Sequence, residues 1–500
     1  MMKREFLSAI VLLLTVSAAA VSCGESAVSE TVPTASDTDV TEAVTEKAVP
    51  ENVQAIERLF LDTDYQGKAF RIYSYSPGEG YYFKTGPDEN EIWYEAESGD
   101  LLQDAVYHRN LLTENLLNVK ITPVWAGTSE EAKEGVLRII RAGEDAFDAA
   151  LNDFGTLVSN AGAGYFLNLC EISSMDLSHP WWDAETVSVF TRNGQLYALS
   201  GDINYYDDYA VQALFFTKKL LEDNGLPYPY ADVAAGTWTF ERFMQLSRAV
   251  VRDMNGDSVI DVDHDIMGYC NHAEALFHMS YAAGEAGTSQ EADGTIRANL
   301  YGDRLVSVVD SIFDFITDGS VSAIGGNYIP AFKEGRVLFF ADMVGALPNL
   351  RDMEPDFGVL PMPKYDEAQT RYSAFVAQTG WMTAYALPST NPDPDFSGTV
   401  LETMCAYSTD TVMTTLYDVL LENKLIRDRE SQEMLAYVFD SKLLDWAVGM
   451  SWADPRKSVF TSMVQKGKNN FVSDMTKAEK SIEKARIKFF DAFDAKTENG

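Results

Sequence analysis

Short apolar runs alternate with amphipathic stretches along the first third of this 500-residue chain. Strand-like runs cover Phe70 to Tyr75, Val119 to Val124 and Phe147 to Leu151, and apolar residues recur at helical spacing from Leu101 to Leu117 and from Ser129 to Arg141. This order of strand, helix, strand, helix and strand predicts right-handed crossovers and a mainly parallel sheet. Ligands of such sheets bind beyond the carboxyl ends of the strands, so Asp153, just after the third run, is expected to line a cleft.

The later part of the chain predicts more helices and a second folded unit. Apolar residues recur at helical spacing over Leu416 to Leu425, Ser431 to Val448 and Thr476 to Phe493. With 46% hydrophobic and 12% aromatic residues, the chain can bury large cores. The stretch from about residue 56 to 500 is too long for one ordinary compact domain and suits two lobes.

The amino-terminal segment has the pattern of an export signal. A short basic end precedes an apolar run from Phe6 to Ala20 that is too short to span a membrane, so residues 1–22 are predicted to be a signal peptide. The end of this run, Val21-Ser22-Cys23-Gly24, resembles the lipobox of bacterial lipoproteins. That resemblance implies that Cys23 is lipidated and becomes the first mature residue. An ordinary secretory signal that contains a cysteine is the alternative.

Residues 23–55 predict a disordered acidic linker. From Gly24 to about Asn52 the chain consists mainly of Ser, Thr, Ala, Val, Glu and Asp, and it contains no aromatic residue. Such a stretch lacks the large apolar side chains needed to offset the entropy lost on ordering. The folded part is therefore expected to be held off the membrane on a flexible tether.

Charge and cysteine content narrow the possible partners. The formal net charge of -37 argues against nucleic acid and anionic lipid head groups, because both would be repelled. It favours a neutral or cationic ligand. Once Cys23 is used by the anchor, Cys170, Cys270 and Cys405 remain, without a CxxC pair. An odd number of cysteines permits at most one internal disulfide, and a cysteine-based metal site is not expected.

Several segments match one family in order. They are Phe147 to Asp153 followed by Ala161 to Leu169, then Asn193 to Leu199, Leu214 to Leu220, Trp238 to Phe243, Ala331 to Phe339 and Asp356 to Pro363. Together they resemble the extracellular solute-binding proteins of ABC importers, in the large sugar-binding, maltose-binding-like cluster. Two positions depart from that family: Thr217 replaces a usual asparagine, and Asp342 to Gly345 replaces an aromatic-bearing loop in many members. These departures bear on the identity of the ligand more than on the fold.

The resemblance implies an α/β, two-lobed, periplasmic-binding-protein-like fold of type II. Each lobe would hold a mainly parallel sheet flanked by helices, with the ligand cleft between the lobes. The first lobe would comprise residues 56–205 plus about 372–410, and the second residues 206–371 plus about 411–500. Hinge closure around the ligand is the expected motion.

The resemblance also implies the function. The chain would be a non-enzymatic, lipid-anchored protein on the outer face of the cytoplasmic membrane. It would capture a solute, expected to be a carbohydrate or oligosaccharide, and deliver it to an ABC transporter permease. It is expected to act as a monomer without nucleic-acid partners.

Sugar chemistry selects candidate ligand-binding residues. A pyranose presents C–H bonds on its face and hydroxyl groups at its edge, so its site needs flat aromatic rings together with carboxylates or amides. The candidates are Asp153, Trp182, Tyr205, Tyr206, Asp208, Trp381, Trp446 and Trp452. The run from Tyr205 to Tyr209 is the strongest group, because five consecutive polar or aromatic residues make a poor core. Each tryptophan taken singly could instead be core packing.

A calcium loop is also predicted. Oxygen ligands recur with nearly the spacing of an EF-hand loop at Asp253, Asn255, Asp257, Val259 (through its carbonyl), Asp261 and Asp263. Ser258 stands where glycine is usual, and His264 stands where a bidentate carboxylate is usual. A structural calcium ion would brace the second lobe, and no other cofactor is expected. A solvated acidic loop is the alternative.

No catalytic residues are predicted. None of the histidines lies in an HExxH pattern or beside a serine or cysteine elbow. Because Asp and Glu are abundant, composition alone leaves open a secreted glycoside hydrolase with paired carboxylates. A surface protein that captures glycans without transport is the other alternative.

Overall fold

The computed structural model describes residues 50–79, 90–291, 294–422, 426, 428–449 and 455–495. The predicted signal peptide, Cys23, most of the predicted linker and Trp452 lie outside these ranges. None of the helices in the described ranges combines the length and apolar character that a membrane-spanning segment needs.

Helices make up most of the regular structure. They are α1 (Glu51–Phe60), α2 (Leu101–Leu117), α3 (Ser129–Arg141), α4 (Phe154–Ser159), α5 (Ala184–Phe190), α6 (Tyr206–Tyr209), α7 (Lys218–Asp223), α8 (Tyr230–Ala235), α9 (Phe240–Val250), α10 (Ala275–Ala282), α11 (Asp303–Thr317), α12 (Ile329–Lys333), α13 (Pro394–Ser408), α14 (Thr414–Glu422), α15 (Arg429–Phe439), α16 (Trp446–Gly449), α17 (Pro455–Lys466) and α18 (Phe471–Asp494). Short 3₁₀ segments lie at Ala161–Ala163, Leu169–Glu171 and Val344–Leu350, and a π-helical segment lies at Thr409–Met413.

The predicted bounds of α2 and α3 are confirmed, and their caps explain why these helices begin where they do. Asp100 accepts hydrogen bonds from the first backbone N–H groups of α2, and Asn118 ends that helix in the left-handed conformation. α3 begins with a capping box, in which Thr128 and Glu131 each accept the other's backbone N–H.

The strands form two main sheets. The four-stranded sheet has the order β12 (Thr383–Ala386), β3 (Ala149–Asp153), β1 (Lys68–Ser74) and β2 (Val119–Trp125). The five-stranded sheet has the order β10 (Phe357–Leu360), β4 (Gln212–Thr217), β9 (Val337–Met343), β5 (Met267–Asn271) and β8 (Ser322–Ile324). Two small ribbons pair β6 (Thr288–Gln290) with β7 (Ile296–Ala298) and β11 (Ala374–Phe375) with β13 (Lys442–Leu443).

One strand in each main sheet runs against the others. β12 is antiparallel to β3, and β4 is antiparallel to both of its neighbours. Each of these strands joins its sheet directly after the chain has crossed from the other sheet. β12 and β4 therefore run away from the segments that connect the two sheets. Their antiparallel neighbours run in the opposite direction and end at those connecting segments. The carboxyl ends of these strands in both sheets therefore face the crossing, where a ligand cleft is expected.

Segments of the crossing lie side by side. Val211 forms a bridge with Val376, and the N–H of Ala377 donates to the carbonyl of Ala210 at 3.0 Å. β13 belongs to the third segment that connects the two lobes, and its pairing with β11 places this segment beside the second one. These paired backbones connect the two lobes and form the predicted hinge.

Three predicted boundaries differ from the structure. The helix predicted over Ser431 to Val448 ends at Phe439, because the chain next forms β13, which places Lys442 among buried carboxylates. α1 begins at Glu51 and fully buries Ile56, so the last residues assigned to the linker are helical. α14 packs against α2 of the first lobe, although the sequence places the chain after residue 410 in the second lobe.

Candidate ligand-binding cleft

Asp153 lies at the end of β3, on the edge that faces the crossing, but the protein itself occupies its carboxylate. Oδ1 accepts hydrogen bonds from the backbone N–H and the hydroxyl of Thr156 at 2.8 and 2.7 Å. Oδ2 accepts the N–H of Gly380. With 1% of its surface exposed, Asp153 holds the start of α4 and the 377–382 loop in place. Its role is to shape the cleft edge.

Trp381 is carried by that loop at the same edge. Gly380 has a φ of +84°, a conformation that favours glycine, and the N–H of Met382 closes the loop onto the carbonyl of Ala377 at 3.0 Å. Of the predicted aromatic residues that the structure describes, Trp381 is the one that keeps an appreciable part of its surface exposed. It therefore offers the flat surface that a sugar ring needs.

The facing edge of the second lobe carries a polar pair that the sequence did not single out. His272 follows β5, Asp342 lies near the end of β9, and His272 Nε2 is 3.3 Å from Asp342 Oδ2. Asp342 raises the pKa of His272 through this hydrogen bond. The imidazole is 44% exposed, so the pair can offer hydrogen bonds to a ligand in the cleft. Trp125, at the end of β2, adds a half-buried aromatic ring to the first-lobe edge.

Trp182 belongs to the interior of the first lobe. Its indole N–H donates to Glu402 Oε2 at 2.9 Å, and the indole of Trp181 donates to Glu402 Oε1 at 3.0 Å. His179 Nδ1 also lies 2.5 Å from Glu402 Oε1. Although burial raises the pKa of Glu402, these partners satisfy its carboxylate. The cluster fastens the loop before α5 onto α13.

Trp446 is likewise a core residue. Its ring packs edge to face against Phe190, Phe490 and Phe493, and its indole N–H donates to the carbonyl of Val189 at 2.9 Å. Only 2% of its surface is exposed. The predicted contact of Trp446 with ligand is therefore replaced by a packing role.

The expectation that the Tyr205 to Tyr209 run makes poor core is wrong. Its members, Tyr205, Tyr206, Asp207, Asp208 and Tyr209, are all buried, and four of them form the short helix α6. The three tyrosine rings pack on one another with centroid separations of 4.8 to 6.2 Å. The backbone N–H groups of Tyr205 and Tyr206 and one carboxylate oxygen each of Asp207 and Asp208 find partners inside the protein, so the run builds the hinge and is not presented to solvent.

Glu91 supplies one of those partners. Its Oε1 accepts the N–H groups of Tyr205 and Tyr206 at 2.6 and 3.0 Å, and its Oε2 accepts the hydroxyl of Thr383 at 2.5 Å. One fully buried carboxylate thus connects the first crossing segment to β12. Burial is the largest cause that raises the pKa of Glu91 to about 7. No sequence motif marks this residue.

Lys442 supplies the other partner. Its ammonium donates to Asp207, lies 2.7 Å from Asp208 Oδ1 and lies 3.7 Å from Asp183 Oδ2. The lysine is 6% exposed. Since Asp183 precedes α5 and Lys442 lies on β13, the cluster connects the first lobe to two crossing segments. The only sequence signal is a lysine directly before Leu443 and Leu444.

A cavity of about 530 Å³ opens beside this cluster. Among the residues that line it are Trp182, Asp183, Asp202, Asp207, Asp440 and Lys442. Carboxylates outnumber cations along this wall, which makes the cavity negative. Its lining comes from the first lobe, the crossing segments and the end of α15, and it therefore adjoins the hinge.

The predicted calcium loop is held by its own turns. Asp253 accepts the N–H groups of Gly256 and Ser258 at 2.6 and 2.9 Å, and Asp257 accepts that of Val259 at 2.8 Å. Ser258 has a φ of +67°, the conformation for which an EF-hand loop uses glycine. No group of three or more His, Cys, Asp or Glu side chains in the described ranges is arranged to hold a metal ion. The calcium site at Asp253, Asn255, Asp257, Val259, Asp261 and Asp263 stays a prediction.

Comparison with known proteins identifies the fold. A sugar transporter protein of Rhizobium etli in an open conformation matches with a TM-score of 0.56 and 13% identity over 83% of this chain and 99% of that chain. A cyclo/maltodextrin-binding protein complexed with maltotetraose matches with a TM-score of 0.55 and 14% identity over 84% and 97% of the two chains. An ABC substrate-binding protein of Listeria monocytogenes in complex with cycloalternan matches with a TM-score of 0.51 and 14% identity over 84% of this chain and 98% of that chain.

These identities establish a shared fold. No protein-family model and no curated protein matches the sequence. The predicted two-lobed, periplasmic-binding-protein-like fold is confirmed, and so is the resemblance to sugar-binding-type solute-binding proteins at the level of fold.

Proposed function

We propose that the chain captures a carbohydrate between its lobes and delivers it to an ABC importer. The observation that carries this proposal is the arrangement of both sheets around the hinge. The carboxyl ends of their parallel strands face the crossing, with Trp381 on the first-lobe edge and His272 on the second-lobe edge. Closure about the hinge would bring these edges together on a ligand.

The chemistry of the two edges favours a sugar. The exposed part of Trp381 offers a surface for the C–H face of a pyranose, and the pair of His272 and Asp342 offers a donor and an acceptor for its hydroxyl groups. The similar structures hold maltotetraose and cycloalternan, which supports a glucan-type ligand. The strong negative charge of the chain agrees with an uncharged ligand.

Binding is the property to test first. In a thermal-shift screen of mono- and oligosaccharides, with amino acids and peptides as controls, we expect one class of oligosaccharide to raise the melting temperature and shift tryptophan fluorescence. Trp381→Ala should weaken the affinity for that sugar about 10- to 100-fold, because it removes the stacking surface. Titration calorimetry measures this loss.

The matched control is Tyr165→Ala. Tyr165 is also half-buried, but it precedes Phe166, which bridges to Pro388 after β12, at the edge of the sheet away from the crossing. Its removal should leave sugar affinity unchanged. Equal loss in both variants would contradict the placement of the ligand beside Trp381. Release of shorter sugars from the added oligosaccharide would favour the glycoside hydrolase. A radius of gyration that does not change when the ligand is added, measured by solution scattering, would favour the glycan-capture protein.

The proposal includes lipidation of Cys23 and a linker that keeps the carrier near its permease. A linker of about thirty residues with the disorder predicted from its composition would have a root-mean-square reach on the order of 30 Å. We expect Cys23→Ala to move the protein from the membrane fraction to the medium or periplasm while sugar affinity stays the same. Fractionation followed by titration measures both properties. Retention of the variant in the membrane fraction would contradict the anchor.

A further inference from the structure

The carboxyl-terminal helix α18 is anchored on the second lobe at its beginning and middle. Just before it, the side-chain amide of Asn469 donates to Asp310 of α11 at 2.8 Å. Within the helix, Arg486 Nη1 donates to the carbonyl of Ile296 in β7 at 2.7 Å, and Arg486 is 8% exposed. The ring of Phe471 packs against that of Phe460 in α17 with 5.0 Å between centroids, and α17 packs against α10.

The end of the same helix is anchored on the first lobe. Phe493 packs edge to face on Tyr197 with 5.3 Å between ring centroids. Asp494 receives two hydrogen bonds from Arg192 at 2.9 and 2.7 Å, and the side-chain amide of Asn193 donates to it at 3.0 Å. Arg192 also lies over the ring of Phe490, 4.7 Å from its centroid. The contact is therefore both apolar and ionic.

Glycine allows the helix to lie directly on the first lobe. A Cβ added to Gly162 would stand 3.0 Å from the backbone N of Phe493 and 3.1 Å from the carbonyl carbon of Ala492. These neighbours are backbone atoms, so the end of α18 and the 3₁₀ segment must separate by a few tenths of an ångström to admit a Cβ. The close approach fixes the distance between the helix and the 3₁₀ segment Ala161–Ala163.

We propose that α18 is a strap that limits how far the two lobes open about the hinge. The helix is continuous from Phe471 to Asp494, and its two ends are fastened to different lobes. A change in the lobe angle must therefore break the contacts at one end or bend the helix. The strap keeps the unliganded protein within a narrow set of lobe angles. Less conformational entropy is therefore lost when the ligand binds. This last consequence rests on the proposed function, whereas the mechanical role does not.

Gly162→Ala tests the strap without removing any side chain of α18. In the full mature chain, made soluble by Cys23→Ala, small-angle X-ray scattering without ligand should show an increase of about 1 Å in a radius of gyration of roughly 22 Å. Amide exchange should rise at the end of α18, and the affinity for the identified sugar should fall about three- to tenfold. Gly319→Ala is the matched control, because its new Cβ would meet no atom within 4 Å.

An unchanged radius of gyration together with faster amide exchange at the end of α18 would overturn the proposal, since the helix end would then be free without effect on the lobes. If Gly162→Ala fails to fold, Phe493→Leu is measured in the same way, because it weakens the ring contact with Tyr197 and keeps the helix apolar there. If no sugar binds, the scattering result still decides the strap, and only the proposed ligand is lost.

Discussion

Replacing Lys442 with methionine is expected to lower the free energy of unfolding by about 3–5 kcal/mol. The substitution keeps much of the side chain's volume but leaves Asp183, Asp207 and Asp208 without the ammonium that contacts all three. Asp207 and Asp208 have side-chain exposures of 4% and 0%, so the substitution leaves two buried carboxylates without their cation. Urea unfolding at neutral pH measures the change.

Lys219→Met is the matched control for this loss. Lys219 forms an ion pair with Asp223 one helical turn away, and its side chain is 66% exposed. Exposed pairs of this kind contribute about 0–1 kcal/mol, so the control should remain close to the wild-type protein. A loss below about 1 kcal/mol for Lys442→Met would contradict the view that this lysine holds the crossing segments together.

Local patterns predicted much of the fold. The bounds of α2 and α3 followed from apolar spacing and caps, because those signals lie within the elements themselves. The break between α15 and α16 did not follow, since apolar residues continue at helical spacing through Lys442. The pairing with β11 and the buried carboxylates contributed by α6 and by the residue before α5 make a strand more favourable there.

The site was predicted less completely, because its partners are distant in sequence. Polar residues in the Tyr205 to Tyr209 run suggested exposure, yet Glu91 is 114 residues away from Tyr205 and Lys442 is 235 residues away from Asp207. His272 and Asp342 are 70 residues apart and meet only because β5 and β9 are neighbours in the sheet. Aromatic and charged residue types mark candidate sites, but their burial depends on pairings that no short window contains.

Glu91 is expected to make the protein less stable as pH rises toward neutrality. Its carboxylate is fully buried beside the hinge. Burial raises its pKa from 4.5 to about 7, although the hydroxyl of Thr383 and the N–H groups of Tyr205 and Tyr206 favour the ionised form. Asp207 opposes ionisation further. Arg109 lies nearby, but its guanidinium donates to backbone carbonyls and to Asn110, not to this carboxylate.

The direction of this change of stability with pH follows from proton linkage. Between pH 4.5 and 7 the folded chain keeps the proton on Glu91 and the unfolded chain releases it. The unfolded state therefore binds fewer protons, and stability falls with rising pH. The contribution is fully present below pH 4.5 and is lost as pH rises through 7. Its total is about 3 kcal/mol, at 1.36 kcal/mol for each unit of pKa difference.

Glu91→Gln isolates this contribution from the other titrating groups. The amide oxygen can still accept the two backbone N–H groups, and the amide nitrogen can donate to Thr383 once its hydroxyl rotates. Urea unfolding of both proteins from pH 4.5 to 8 should show the wild-type chain losing stability relative to Glu91→Gln, with the difference levelling off above pH 7. Because every other group is common to both chains, parallel pH curves would show that Glu91 stays ionised in the fold. A growing gap would show that the same carboxylate that joins the crossing segments resists ionisation at neutral pH.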